Sequence, residues 1–594
     1  MEDALKKKWD VSAAPLESVL HLRAARQFVL AHSAQFMCAG LLLIMTVNLL
    51  TTIAHKSITN DETVLIPSAY YHLVTNDFQL VREHPPLCKL LAGLPLLFVQ
   101  PNELPLDKIG PEVTGGAREW EISMRFWDDN KPAFESISYW SRVPMIALTI
   151  ALGVLIFVFA RSLFGARAAV MAVALFTLEP TMLAHGRVVQ TDVPATIGFL
   201  LVFYTLHRYL KARSWRAAAW IGVASSVALL SKFSMLIIGP ILLAVFIWLL
   251  WRAPQDCRAL AAHALVVTLT TLLLINAAYF FNHRPLTTDD TEWVASTYSS
   301  SAKTVTTSIR VLSYVAPTDF LLGIYWQYWH SKEGHEAGFL GMYSKTGWWY
   351  YFPVAFALKT TIPFLLLSLA AIFWAGYQVI GKRDWRLLIL LAPFVLYTLF
   401  VLISNINIGV RYYLPAYAFL FILGGALMDR LVNLRRARVA GLLVTIAIVA
   451  WCSIETVRTF PNYMPYMNQL ASAHPHWWYL SDSNIEWGDE VKELAAYLHA
   501  RGETEVRAML LGGFITLKFY DVEYIDASAH AHPGNSRPRY TAIGASFLNG
   551  STLPFNEKDG IITNEQRVNQ FAEYRNRTPE VVIGNSVYLF RERD

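Results

Sequence analysis

Runs of about twenty mostly apolar residues recur along this chain, and no other feature restricts its folding so strongly. A window of roughly that length finds about eleven candidate spans, at 33–54, 142–160, 168–184, 194–210, 216–231, 234–251, 260–281, 352–378, 386–404, 413–429 and 437–455. The pair that meets around Ser231, Lys232 and Phe233 is the least clearly separated. Of 594 residues, 54% are apolar and 16% charged, where soluble domains carry about 25% charged; a wholly soluble protein is excluded. The net charge of +5 is small for this length, and no Lys/Arg run points to nucleic acid. Cys38, Cys88, Cys257 and Cys452 are scattered without metal-ligand spacing, and two lie inside apolar runs as small hydrophobes.

The short loops set an orientation. Arg161/Arg167, Arg208/Lys211/Arg213/Arg216, Arg252/Arg258, Lys382/Arg383/Arg386 and Arg430/Arg435/Arg436/Arg438 all fall on the side of the N-terminus, whose flank holds Lys6, Lys7, Lys8, Arg23 and Arg26. The positive-inside rule places that side in the cytoplasm. The flank is too long for a cleaved signal peptide, so the first span reads as an uncleaved anchor. The expected organisation is a cytoplasmic segment 1–32, a membrane domain 33–455 with large outer loops 55–141 and 282–351, and an extracytoplasmic domain 456–594. In the last of these, a charged helical stretch from Glu490 to Leu498 precedes strand-like runs at 508–511, 540–547 and 581–590. The fold class is a polytopic α-helical membrane protein with a small C-terminal α/β domain.

Ionisable groups are nearly absent from the spans and gather in outer loops at span ends. A transporter would be expected to carry charges within its spans, or inverted repeats with broken helices, so the chemistry is expected at the outer interface. Asp61-Glu62 follows the first span and can supply a general base or a metal ligand. The same loop continues to Glu83-His84-Pro85-Pro86-Leu87, where two prolines restrict the chain, and then to the run 90–99, too short to span and suited to an interfacial helix. Glu179-Pro180, His185-Gly186-Arg187 and Thr191-Asp192 fill the next outer turn.

These motifs resemble those of the large membrane glycosyltransferases of the GT-C class, close to the protein O-mannosyltransferases and the lipid A aminoarabinose transferases, and to bacterial phospholipid-carrier-dependent glycosyltransferases. The likeness continues through Gly338-Phe339-Leu340-Gly341, Gly347-Trp348-Trp349-Tyr350, Lys359-Thr360, Asn407-Ile408-Gly409-Val410-Arg411-Tyr412-Tyr413 and Asp482-Ser483-Asn484-Ile485-Glu486-Trp487-Gly488-Asp489. The resemblance implies a bacterial cytoplasmic-membrane enzyme that moves a sugar from a polyprenyl-phosphate carrier to a protein, lipid or glycan acceptor on the outer side. An oligosaccharide transferase or ligase of similar architecture is the alternative, and a lipid or sugar transporter a more distant one.

Within that frame Asp61 is the expected base, with Glu62 and Asp192 as catalytic partners. Arg411, Lys359, Arg187 and His84 are candidates for the donor phosphate, because cations stabilise a leaving group that gains negative charge. Trp348, Tyr350, Asp482 and Asn484 are candidates for sugar or acceptor contact, although an interfacial aromatic belt and a helix cap also account for those types. Some relatives hold a divalent metal ion and others none, so no cofactor is assigned. His330, His335 and Glu336 do not show a recognised ligand spacing.

Overall fold

The computed structural model describes residues 32–592, apart from 103, 105, 107–108, 110–114, 435, 529–537 and 553–567. The N-terminal cations of the flank and Arg435 lie outside the described residues. Among those described, nine helices are long and apolar enough to cross a bilayer, from Ser33–His55 to Arg438–Thr459. Two shorter apolar helices, Ala166–Thr177 and Trp215–Ser231, stand where two further spans were expected. The polytopic helical class is therefore what the chain adopts. The helix Val410–Val432 is the central one, with 72% of its most apolar stretch buried in protein.

Two expected spans are broken, each at a proline. The run 168–184 ends as a helix at Thr177, and Pro180 starts a separate turn, Pro180–His185. The run 352–378 divides into Tyr351–Lys359 and Ile362–Ile380, with extended backbone at Thr360 and Thr361 before Pro363. Lys359 therefore ends a short helix and does not sit inside a continuous span. The carbonyls freed at this break are satisfied by Asn468, whose Nδ2 donates to Ala357 O and Thr360 O at 2.6 Å each. The doubtful pair around Lys232 resolves into Trp215–Ser231 and Ile238–Arg252, joined by a 3-10 turn, Phe233–Ile237.

Strands β1 (Ala337–Phe339) and β2 (Met342–Ser344) form a hairpin. The C-terminal region holds β3 (Glu505–Met509), β4 (Glu523–Asp526), β5 (Tyr540–Gly544), β6 (Val581–Ile583) and β7 (Val587–Arg591) in one sheet of order β4-β3-β5-β7-β6. β3 pairs in parallel with β4 and β5, while β7 runs antiparallel to β5 and β6. The expected single run 581–590 is in fact a hairpin: Gly584 and Asn585 both have positive φ, the geometry of a tight primed turn. The helix Val491–His499 buries Val491, Leu494 and Leu498 against Val506, Ala508 and Leu589 of the sheet.

Candidate active site

Side chains from four helix ends meet at one end of the bundle. Asp61 precedes the helix Glu62–Thr75, Asp192 opens Asp192–Lys211, Lys232 follows Trp215–Ser231, and Arg411 lies in the 3-10 turn Val410–Tyr413 that leads into Leu414–Val432. Helices 192–211 and 215–231 are joined by a short link that Ser214 caps, so the start of one and the end of the other share a level. They approach closely at Gly198, where a Cβ would come within 2.4 Å of Ala228 Cα. That hairpin brings Asp192 and Lys232 together.

Lys232 Nζ donates to Asp192 Oδ1 at 2.5 Å and lies 3.5 Å from the centroid of the Tyr412 ring. Arg411 Nη1 donates to Asp61 Oδ2 at 3.0 Å and is 3.8 Å from Asp192 Oδ2. The Arg411 guanidinium packs 4.2 Å from the Trp487 ring centroid. Two carboxylates and two cations thus alternate as Asp61, Arg411, Asp192, Lys232. Three of the four side chains are almost fully covered, whereas Asp61 keeps 25% of its surface exposed. Gln190 Nε2 also donates to Asp61 Oδ2, at 2.8 Å. Both of these donors reach the same Asp61 oxygen; Oδ1 accepts no bond among the described residues.

Other predicted residues hold this centre in place. Glu62 Oε1 accepts from Arg142 Nε and Val189 N, both at 2.8 Å, and Oε2 from Arg142 Nη2 at 2.6 Å, Thr59 N at 2.8 Å and Thr59 Oγ1 at 3.0 Å. Arg187 forms a buried ion pair with Asp489. Burial raises the Asp489 pKa, but the Arg187 guanidinium and the Lys56 ammonium prevail and hold it at about 2. Burial and the adjacent Asp489 push Glu490 the other way, well above the usual carboxylate range. Two carbonyls of the same loop accept from the backbone of the first one: Ser57 N donates to Asp489 O at 3.0 Å and Asn60 N to Trp487 O at 2.7 Å. The C-terminal region therefore clamps the backbone next to Asp61.

Lys359 donates from Nζ to the backbone carbonyls of Met464 and Asn484. Asn484 Oδ1 in turn accepts from Val410 N at 2.8 Å, and its Nδ2 donates to the Tyr351 hydroxyl at 2.8 Å. This chain fixes the backbone beside Arg411. Asp482 and His84 lie within electrostatic range of Arg411 and Asp61. Burial, with Lys89, Lys232 and Arg411 nearby, pushes His84 down to about 3 against the pull of Asp61, so its imidazole is neutral. Trp348 and Tyr350 pack on Phe339 at 5.2 and 5.7 Å between centroids, and Trp348 N donates to Asn407 Oδ1 at 2.7 Å; they belong to an aromatic cluster, and among the described residues no hydrogen bond or ring contact joins them to Asp61, Asp192, Lys232 or Arg411. Lys232, Gln190, Tyr412 and Trp487 are the members of the site that motif reading does not assign. Tyr412 and Trp487 stand within motifs that carry the resemblance but receive no role from it, Lys232 shows only as a cation between two apolar runs, and Gln190 leaves no trace.

Among the described residues, no three His, Cys, Asp or Glu side chains are grouped to hold a metal ion. His330 and His335 are neighbours, 5.7 Å between ring centroids, and the negative charge of Asp61 and Asp192 is met by Arg411 and Lys232.

The fold is similar to that of ArnT from Cupriavidus metallidurans bound to undecaprenyl phosphate, at 14% identity over 82% of this chain and 76% of that one, with a TM-score of 0.44. It is also similar to the Archaeoglobus fulgidus oligosaccharyltransferase in the apo form, at 12% identity over 86% and 70% of the two chains, with a TM-score of 0.48. A search of curated proteins found no match. Residues 135–280, the stretch that contributes Arg142, Asp192 and Lys232, match the family model of dolichyl-phosphate-mannose-protein mannosyltransferase, and the resemblance to polyprenyl-phosphate-dependent GT-C glycosyltransferases that the motifs carry is borne out there.

Proposed function

We propose that this protein transfers a sugar from a polyprenyl-phosphate donor to a hydroxyl acceptor, a protein, lipid or glycan, at the outer face of the bacterial cytoplasmic membrane. The carrying observation is the half-open carboxylate of Asp61 held 3.0 Å from Arg411 beside the Asp192–Lys232 pair. In this reading the N-terminus and the Lys/Arg-rich loops are cytoplasmic, and the Asp61 end of the bundle faces outward with the C-terminal sheet.

The acceptor O–H gives its proton to Asp61 Oδ1 as its oxygen bonds to the anomeric carbon. The bond from that carbon to the phosphate oxygen breaks, and the lipid phosphate leaves with the electron pair on the opposite face, which inverts the configuration. Arg411 and Lys232 receive the charge that develops on the phosphate; being buried and already aligned, they need no reorganisation. Tying Oδ2 to Gln190 and Arg411 aims the free oxygen. Asp192 holds both cations in register, Glu62 positions the loop through Arg142, and Lys359 and Arg187 secure the two strands of chain behind Arg411 and Asp61. In this reading Asp482 and His84, within electrostatic range of Arg411 and Asp61, are the groups left to meet the acceptor or the sugar.

The test is transfer in vitro from a polyprenyl-phosphate sugar by purified Asp61→Asn. Asn keeps the size and the hydrogen bond to Arg411 but cannot take a proton at neutral pH, so turnover should fall by about 10²–10⁴-fold with donor affinity retained. Near-normal turnover would remove Asp61 from the chemistry. Mass spectrometry of the envelope of a deletion strain, for accumulated polyprenyl-phosphate sugar and a missing glycan, identifies donor and acceptor.

A further inference from the structure

The helix that begins at Asp192 ends at Lys211, nineteen residues on, or about 28 Å away at 1.5 Å per residue. At that far end, separate from the Asp61 group, lies a cleft of about 990 Å³. Its walls are the ends of helices Phe134–Phe164, Asp192–Lys211, Ile362–Ile380 and Leu414–Val432, the middle of Ile238–Arg252 and the first half of Leu388–Leu402. The lining is graded along the bundle axis. Lys211, Arg386, Arg430 and Asn433 stand at the helix ends, Trp248, Trp374 and Trp385 beside them, and Phe203, Val245 and Leu396 deeper in. Phe203 is two helical turns inside Lys211, about 12 Å, so the apolar part runs well into the bilayer. Trp248, Leu210, Trp385 and Leu388 on the rim are exposed, and so is Leu396 further in, which leaves the cleft open to lipid.

The polar end has uncompensated charge. Arg386 is paired with Asp384 at 2.8 Å, and the other acid there, Asp429, with Arg167 at 3.0 Å. Neither Lys211 nor Arg430 makes an ion pair among the described residues; Arg430 instead lies 5.8 Å from the Trp374 ring centroid and, with the Gln378 amide correctly oriented, donates to it at 3.2 Å. His207 lines the same cleft, and its Nε2 is buried without a partner. Two free cations, an unused imidazole nitrogen, a tryptophan rim at interfacial depth and an apolar floor match an amphiphile with one anionic head.

We propose that this cleft binds a single anionic glycerophospholipid of the adjoining leaflet, its phosphate held by Lys211 and Arg430 and its acyl chains laid along Phe203, Val245 and Leu396. A lipid lodged here cannot present its phosphate to Arg411 across the bilayer, so the site is not a donor site, and the inference is independent of the reaction assigned to Asp61. Native mass spectrometry of the purified full-length protein with added phosphatidylglycerol, phosphatidylcholine or undecaprenyl phosphate tests it. Phosphatidylglycerol should be retained in preference to phosphatidylcholine, and the double variant Lys211→Gln/Arg430→Gln should bind it roughly 10–30-fold more weakly, as two basic contacts to an anionic head imply. Arg216→Gln/Arg258→Gln, which removes two cations outside the cleft, should bind normally. Ala244→Trp, which fills the apolar part and keeps both cations, should also lose the lipid. Equal retention of phosphatidylcholine, or unchanged binding by the Lys211/Arg430 variant, would overturn the proposal. So would unchanged binding by Ala244→Trp, which would leave only surface attraction. A Lys211- and Arg430-dependent preference for undecaprenyl phosphate would show the wrong lipid class.

Discussion

Glu62 adjoins the proposed base, and its substitution separates a supporting carboxylate from a reacting one. Its two oxygens accept five hydrogen bonds, two of them from the Arg142 guanidinium, and both side chains of that pair are at most 1% exposed. Glu62→Gln keeps one acceptor oxygen for Arg142, but turns an amide NH2 toward donors and leaves the guanidinium charged and buried with no paired counter-charge, held by that one neutral oxygen and the carbonyls of Lys56 and Ser57. Removing one member of a buried pair costs about 3–5 kcal/mol, and one further unsatisfied donor costs on the order of 1–3 kcal/mol if it cannot rotate away. Taking the lower end, the folded-to-unfolded ratio should drop more than 100-fold, since about 1.4 kcal/mol is tenfold. Unfolding by sodium dodecyl sulfate in mixed micelles reads that ratio, and turnover normalised to folded protein reads chemistry. The expected result is a large loss of stability with turnover per folded molecule reduced far less than in Asp61→Asn. Adding Arg142→Met should recover part of the lost stability by withdrawing the stranded charge. If Glu62→Gln were as stable as the parent yet inactive, Glu62 would be a reacting group and the positioning role would be wrong.

Arg411→Ala should lose about 2–4 kcal/mol of transition-state stabilisation, measured as kcat/KM for a polyprenyl-phosphate sugar, whereas Arg258→Ala, which removes an exposed cation at the start of the helix Cys257–Ala278, should match the parent; equal activity of the two would exclude Arg411 from the site. Lys232→Met should lower kcat/KM for the donor by about tenfold or more, with partial recovery in Lys232→Arg, because a buried charge-assisted contact contributes about 1.5–3 kcal/mol; an unchanged kcat/KM in Lys232→Met refutes a phosphate contact. Burial, reinforced by Glu83, pushes the Glu119 carboxyl up to about 8 from 4.5. The folded state therefore holds a proton the unfolded chain gives up, so this stabilisation is complete below about pH 4.5 and disappears as pH rises through about 8. Hydrogen exchange in the helix Gly115–Asp129, corrected for intrinsic rates, should be slower at pH 6 than at pH 9, and Glu119→Gln should abolish the difference; a pH-independent parent contradicts the assignment.

What was legible in the sequence is what a bilayer dictates locally. A span has to bond its own backbone, so each one announces itself as an apolar run, but the breaks at Pro180 and Pro363 are not legible there: both runs look continuous, and a proline alone does not decide, since Pro144 and Pro393 sit inside helices that stay whole. Asp61, Asp192 and Arg411 are legible for a related reason: a charge at the end of an apolar run is costly enough to be noticed. The supports are another matter. Glu62 meets Arg142 across 80 residues and Arg187 meets Asp489 across 302, and no periodicity or spacing couples positions so remote. Lys232 falls between these cases. It stands out as a cation between apolar runs, yet a lysine near a span end is ordinarily free to snorkel to the interface, and only the closeness of the hairpin at Gly198 and Ala228 directs it onto Asp192. Trp487 stands in a motif that carries the resemblance, yet nothing local shows that its ring lies against Arg411, 76 residues earlier.

The long-range ties have a consequence for how the site is assembled. Asp61 and its neighbours are held by Trp487 and Asp489 from beyond the last span, through backbone bonds to Ser57 and Asn60 and through the Asp489–Arg187 pair. Glu486, the residue before Trp487, accepts from Leu511 N at 3.0 Å and Ser546 N at 2.9 Å, which fastens that loop to the C-terminal strands. Gly488 is part of the same contact: its φ is +97°, and a Cβ there would lie 2.5 Å from Leu511 O, so another residue would be strained and would push the loop from the sheet. The membrane helices supply the charges, and the C-terminal region supplies the rigidity that keeps Asp61 against Arg411. Loosening the sheet should therefore lower turnover while leaving the helical bundle inserted, because the loop around Asp61 has lost its clamp and not its anchor.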